Sequence, residues 1–141
     1  MITPFDASGA VDYQAAWDLA RYLISHGNDG LVICGTTGES PTLSTEEKLG
    51  MFRTVVEAVG DRAVVIAGTG TYDTAESVEL SRRAAEIGCH AVMAVTPYYN
   101  KPPQEGLFRH FTAIADATDL PVLIYNIPGR TSRLIEIETH A

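Results

Sequence analysis

The chain has 141 residues, 45% of them hydrophobic and 20% charged, a size and balance suited to one domain with its own core. Its net charge of −8 argues against nucleic acid as a partner, because phosphate contacts need clustered Lys and Arg. No apolar run is long enough to span a bilayer, no basic-then-apolar leader opens the chain, and Cys34 and Cys89 form no motif. A cytoplasmic protein with two reduced, buried thiols is therefore expected.

Ile2-Thr3-Pro4-Phe5 reads as the end of a strand. From Asp12 to His26 the spacing predicts a helix with Trp17, Ala20, Leu23 and Ile24 on one face, stopped by Gly27. Leu31-Val32-Ile33-Cys34 is a short run that is apolar throughout, as suits a strand buried on both faces of a parallel sheet. Ser44-Thr45-Glu46-Glu47 reads as a capping box, and the helix it starts carries Leu49, Phe52, Val55, Val56 and Val59 before Gly60. A second strand follows at Ala63–Ala67. Asp73 caps the next helix, which runs through Val78, Leu80, Ala84 and Ile87 to Gly88. The third such strand is Ala91–Val95. A helix is then expected from about Pro103 past Phe108, Phe111 and Ile114 to about Ala117, a last apolar strand at Pro121–Tyr125, and a final helix near Leu134 to Ala141.

The order is thus β-α repeated in units of about thirty residues, with crossovers long enough to be parallel and right-handed. A barrel or a doubly wound sheet would both fit. Two features favour the barrel: no strand precedes a G-x-G-x-x-G fingerprint, and polar or Gly-rich residues gather after every strand. A (β/α)8 barrel needs about 250 residues. The expectation is therefore α/β, a TIM-barrel half of about five parallel strands and four to five helices. It spans residues 1–141 as a single partial domain, beginning inside the first strand and ending in the fifth helix. Unpaired strand edges on such a half predict self-association.

The loop Gly35-Thr36-Thr37-Gly38-Glu39-Ser40 follows a strand and precedes a capped helix. Its glycines let the backbone approach a ligand, and consecutive amides with two hydroxyls could cradle an anion. The Lys of a phosphate loop is missing, which points to a small carboxylate. A tight turn capped by Ser and Thr explains the same residues. Tyr98-Tyr99 could be packing or interface residues, or supply a phenol that passes a proton. Tyr125, at a strand end, could do the same or cap the barrel core. Arg130 could grip a carboxylate in a bidentate fork or simply lie in solvent. His26, His110 and His140 read as helix-end or surface residues. The histidines lack metal-ligand spacing, so no metal and no cofactor are expected.

Thr3-Pro4-Phe5, Gly35-Thr36-Thr37-Gly38-Glu39-Ser40, Gly68-Thr69-Gly70, Val95-Thr96-Pro97-Tyr98-Tyr99-Asn100-Lys101-Pro102 and Tyr125-Asn126-Ile127-Pro128-Gly129-Arg130-Thr131 occur in that order. Together they resemble the dihydrodipicolinate synthase family over essentially the whole chain. The resemblance implies a homo-oligomeric Schiff-base lyase that condenses pyruvate with aspartate semialdehyde in lysine and diaminopimelate synthesis. It implies that Thr36 relays a proton between Tyr125 and Tyr99, and that Tyr125 gives and takes a proton beside the imine. Tyr99 would reach into a neighbouring subunit. Thr37, with Gly38 in its loop, would hold the pyruvate carboxylate, and Arg130 the carboxylate of aspartate semialdehyde.

Ser40, Glu76 and Tyr98 match positions of the family's lysine-inhibition site, where Lys48 would repel a lysine. The family's Schiff-base lysine lies at the end of the next strand, beyond Ala141, so the isolated chain is expected to be inactive. Two other functions remain open: a non-catalytic half-barrel assembly unit, and a sialate or keto-sugar-acid aldolase with a similar Gly-x-Thr-Gly-Glu loop.

Overall fold

A computed structural model describes residues 1–140. Its main elements in order are α1 (Tyr13–Ser25), β1 (Gly30–Ile33), a 3-10 turn (Ser40–Thr42), α2 (Thr45–Val59), β2 (Val64–Gly68), α3 (Thr74–Ile87), β3 (Ala91–Val95), α4 (Gln104–Ala115) and β4 (Val122–Tyr125). Two one-turn helices close the chain, α5 (Pro128–Thr131) and α6 (Ile137–His140).

The strands form one parallel sheet in the order β1-β2-β3-β4. A doubly wound sheet reverses its order at a switch point. This one never does, so right-handed crossovers carry every helix to the same face, as in a barrel. Four strands of eight make it half of a (β/α)8 barrel.

Local chemistry sets the helix starts. Ser44 accepts from the Glu47 amide while the Glu47 carboxylate accepts from the Ser44 amide, so the predicted capping box is formed. The Asp73 carboxylate accepts from the amides of Ala75 and Glu76. Asp12 caps α1 through Ala15. α3 ends at Gly88, whose φ of 98° closes the last turn.

The opening segment departs from expectation. Thr3-Pro4-Phe5 adds no parallel strand: Phe5 makes an isolated antiparallel bridge to Val11, and the Thr3 hydroxyl donates to the Gly38 carbonyl at 2.7 Å. Pro4 has no amide for a ladder, and the Pro4 carbonyl instead accepts from Asp12. The sheet therefore has four strands, not about five. The final expected helix is reduced to α6, and Ala141 lies outside the described residues.

The strands are not buried equally on both faces. Leu31, Ile33, Val65, Ala67 and Val92 are buried and face the helices with Leu49, Phe52, Val55, Leu80 and Ala84, and Ala94 is buried with Leu107, Phe111 and Ile114. Val32, Ile66, Met93 and Val95, on the other face, are only half-buried, and Leu123 on β4 is 42% exposed. In a closed barrel that face packs against the opposite strands, so its continuous apolar pattern is legible in the sequence before its partner is present. Both cysteines are buried thiols. His110 is a correction. It is 4% exposed, its Nδ1 is 2.8 Å from the Thr74 hydroxyl, and it sits with Leu107, Phe111 and Ile114 on the buried face of α4. No described helix is long and apolar enough to cross a membrane.

Candidate active site

All four strands point their C-terminal ends the same way, so the loops that follow them meet at one rim. After β1 the chain turns through Cys34, at φ 51°, into Gly35-Thr36-Thr37-Gly38. The loop closes on itself: the amides of Gly38 and Ser40 donate to the Gly35 carbonyl, and that of Glu39 to the Thr36 carbonyl. Gly38 is packed against Thr3 and the Met1 carbonyl, where a Cβ would come within 3.2 Å. The amides of Thr36 and Thr37 have no acceptor among the described residues, and both side chains are exposed. The anion cradle expected of the whole loop is thus narrowed to its first half, because the turn itself uses the amides of Gly38, Glu39 and Ser40.

The loop after β2 is fixed from below. Thr69 and Gly70 donate to the Met93 carbonyl, Thr71 donates to the Ser77 hydroxyl at 2.9 Å, and Ser81 donates to the Thr69 hydroxyl at 2.9 Å. These hydroxyls are buried and satisfied, so the loop is held without charge. After β3, Tyr98 stands edge-on to Tyr72, with ring centroids 5.3 Å apart. Burial, then Tyr72 and Glu76 nearby, raises its phenol above the ordinary tyrosine value. Tyr125 ends β4 opposite Val95, and its carbonyl accepts from Thr96. The Asn126 amide clasps Ile135 through both its oxygen and its nitrogen, which shapes the turn carrying Arg130.

Two adjoining hollows lie at this rim. The larger, about 260 Å³, is lined by Thr36, Ser40, Lys48, Tyr98, Tyr125 and Arg130 with apolar Met93 and Val95. The smaller, about 190 Å³, is lined by Thr36, Thr37, Gly38 and Tyr125. Gly35, Thr36, Met93 and Tyr125 line both. The structure therefore brings Thr36, Thr37, Gly38, Tyr125, Arg130, Ser40 and Tyr98 together. Tyr99 is not among them: it is 84% exposed and lines neither hollow. Glu76 also stays outside, 3.6 Å from the Lys48 ammonium. Among the described residues no cluster of His, Cys, Asp and Glu could hold a metal ion.

Lys48 is the residue that sequence reasoning underweighted. It is 5% exposed and lines the larger hollow from α2. Its signal was present: Lys48, Phe52, Val55 and Val59 share one helical face, and the last three are core.

The model of the dihydrodipicolinate synthetase family matches residues 1–141. A 4-hydroxy-tetrahydrodipicolinate synthase of Symbiobacterium thermophilum is 62% identical over 132 residues, covering 94% of this chain and 45% of that protein. The crystal structure of a dihydrodipicolinate synthase from Bacillus anthracis superposes with a TM-score of 0.96 at 51% identity, covering 99% of this chain and 48% of that one. A chloride-inhibited dihydrodipicolinate synthase from Acinetobacter baumannii, complexed with pyruvate, does so with a TM-score of 0.95 at 42% identity, over 99% and 48%. The chain spans about half the length of the relatives it matches. The half-barrel, the rim of loops and the match along residues 1–141 agree: this chain belongs to the dihydrodipicolinate synthetase family.

Proposed function

We propose that this chain carries the carboxylate-binding and proton-relay half of a lyase that condenses pyruvate with aspartate semialdehyde to 4-hydroxy-tetrahydrodipicolinate. The observation that carries this reading is that Thr36 and Tyr125 line both hollows, with Thr37 lining the smaller and Arg130 the larger. Pyruvate's carboxylate goes to the hydroxyls and free amides of Thr36 and Thr37, as befits a chain whose relative from Acinetobacter baumannii is complexed with pyruvate. A lysine amine converts the ketone to an imine with loss of water, and the imine accepts the electrons left when a C3 proton departs. Tyr125 handles the protons of these steps, with Thr36 linking it to Tyr99 of a neighbouring subunit. The enamine carbon then bonds to the aldehyde, whose carboxylate is held by Arg130. The double Thr and the Pro128-Gly129-Arg130-Thr131 segment favour this aldehyde over a sugar acid. A cytoplasmic homo-oligomer is the setting we infer.

The lysines within these residues are Lys48 and Lys101. Lys48 is held by Glu76, and Lys101 is exposed on the loop after β3. We therefore infer that the 141 residues alone form no imine. Incubation with pyruvate and borohydride, read by intact mass, is expected to leave the mass unchanged; a trapped adduct on Lys48 or Lys101 would overturn this. Pyruvate binding itself is read by NMR line broadening and should be lost in Thr37→Val. Unchanged broadening in that variant would reject the carboxylate role of the loop.

Ser40, Glu76 and Tyr98 correspond to the lysine-inhibition positions. Lys48 already occupies Glu76, so free lysine should produce no thermal shift.

A further inference from the structure

The segment after Arg130 is gripped from both sides by carboxamides. Asn126, directly after β4, accepts from the Ile135 amide and donates to the Ile135 carbonyl, each at 3.2 Å. Gln104, the first residue of α4, donates to the Leu134 carbonyl at 2.9 Å. It accepts from the Glu136 amide at 3.2 Å and from the Thr139 hydroxyl at 2.7 Å. In an extended chain the amide and carbonyl of one residue point to one side, and the carbonyl before it and the amide after it to the other. Asn126 therefore serves one side of Ile135 and Gln104 the other, each presenting the donor and acceptor that a neighbouring strand would. Part of the reason is local. Ile135 is 3% exposed, packed with Leu107, Phe111 and Ile114, and its backbone groups need partners there.

The pairing also decides where Arg130 sits. Asn126 and Ile135 are nine positions apart, so their two bonds close the base of a loop with Arg130 near its middle. The tip of that loop is the single turn Pro128–Thr131, ended by Ser132 at φ 55°. Arg130 is exposed and forms no ion pair among the described residues. One isolated turn is too short to be stable alone, so the direction of Arg130 is inherited from the loop's base and from its tie to α4. Neither Asn126 nor Gln104 lines a hollow. We propose that Asn126 and Gln104 are positioning residues that act through Arg130, holding the loop from Asn126 to Ile135 so that the guanidinium stays at the larger hollow. The functional part of this proposal rests on the reading of Arg130 as the holder of the aldehyde carboxylate.

The test measures 15N relaxation on the 141-residue chain. The amides of Gly129, Arg130 and Thr131 should be as ordered as those of the sheet, with order parameters of about 0.85, and should drop below about 0.6 in Asn126→Ala and in Gln104→Ala. Thr36 and Thr37 should keep their values. Asn126→Asp preserves shape but sets a carboxylate oxygen against the Ile135 carbonyl, so it should lose order as the Ala variant does, whereas a residue that only filled space would tolerate it. The bonds of Gln104 to Leu134 and Glu136 lie at the surface, so Gln104→Ala still decides the matter should Asn126→Ala unfold. Unchanged order at residues 129–131 in the folded variants, or equal loss at Thr36 and Thr37, would overturn the proposal. A second arm titrates butyrate, followed on the Arg130 Nε–H resonance, and pyruvate, followed on the Thr36 and Thr37 amides. Butyrate should bind about threefold to tenfold more weakly in the variants, since a mobile side chain must then be ordered on binding, and pyruvate should bind as before. Unchanged butyrate binding, or equal weakening of both ligands, would count against positioning. An Arg130 resonance that ignores butyrate in the unmodified chain would instead overturn the carboxylate role of Arg130, and the relaxation comparison would still judge the two carboxamides.

Discussion

Gly70 offers the sharpest test of how the rim is held. Its amide donates to the Met93 carbonyl at 3.2 Å, so the loop after β2 lies directly against β3. A Cβ at Gly70 would sit 2.4 Å from the Val95 nitrogen, 2.6 Å from the Ala94 Cα and 2.8 Å from the Ala94 carbonyl carbon. All three are backbone atoms, so no rotamer change relieves the clash. Ordinary contact begins at 3.4 Å, so Gly70→Ala must separate loop and strand by about 1 Å. Overpacking costs roughly 1–3 kcal/mol, and the two hydrogen bonds from Thr69 and Gly70 to Met93 are weakened at about 1 kcal/mol each. The expected loss is about 3 kcal/mol or more, a large part of the roughly 5–15 kcal/mol that holds a domain folded. Urea unfolding measures it, as a lower midpoint at unchanged slope. Gly129→Ala is the control: nothing lies within 4 Å of its Cβ position, and its stability should change by less than about 0.5 kcal/mol. A loss below about 1 kcal/mol for Gly70→Ala would refute the close-approach reading.

Three further outcomes are expected. Burial lowers the His110 pKa below its ordinary 6.5, so the unfolded chain binds the extra proton first and stability declines as pH falls below about 6.5. Urea midpoints between pH 5 and 8 should lose this component in His110→Gln, and an identical pH profile in the variant would contradict it. Burial pushes both the Cys34 and Cys89 thiols up to about 12, so iodoacetamide at neutral pH should label them only in denaturant; rapid labelling of the native chain would show that one of them is open. β1 and β4 are edge strands and Leu123 and Ile124 are exposed, so light scattering of the isolated chain should report a dimer or larger species, and a well-behaved monomer would count against the edge argument.

Much of the fold was legible because it rests on local signals. The four apolar runs became β1 to β4 within a residue or so, and Ser44 with Glu47 formed the box that their spacing predicted. Thr3-Pro4-Phe5 misled because an extended, apolar-flanked segment resembles a strand whether or not a partner accepts its amides, and here its links are a bridge to Val11, the Asp12 amide on the Pro4 carbonyl and the Thr3 bond to Gly38. His110 misled because its residue type outweighed its place. At three residues from Leu107 and four from Ile114 it shares the buried face of α4, and Thr74, on another helix, partners its Nδ1 while its Nε2 has no partner among the described residues.

The site divides along the same line. Which loops carry chemistry could be read from composition after each strand, since a parallel array must bring those loops to one rim. Which side chains meet could not, because meeting depends on register between strands far apart in sequence. Val95 pairs with Tyr125, and Gly68 with Met93. Those pairings put Tyr125 beside Val95 and on the lining of both hollows with Thr36, while Tyr99, next to Tyr98 in sequence, lines neither. Lys48 follows the opposite course. It comes from a helix, not a rim loop, and reaches the hollow because α2 packs against the sheet with Lys48 on its buried face. A charge at the head of an apolar helical stripe needs a polar destination at that end of the core. At the C-terminal end of parallel strands, that destination is the site itself.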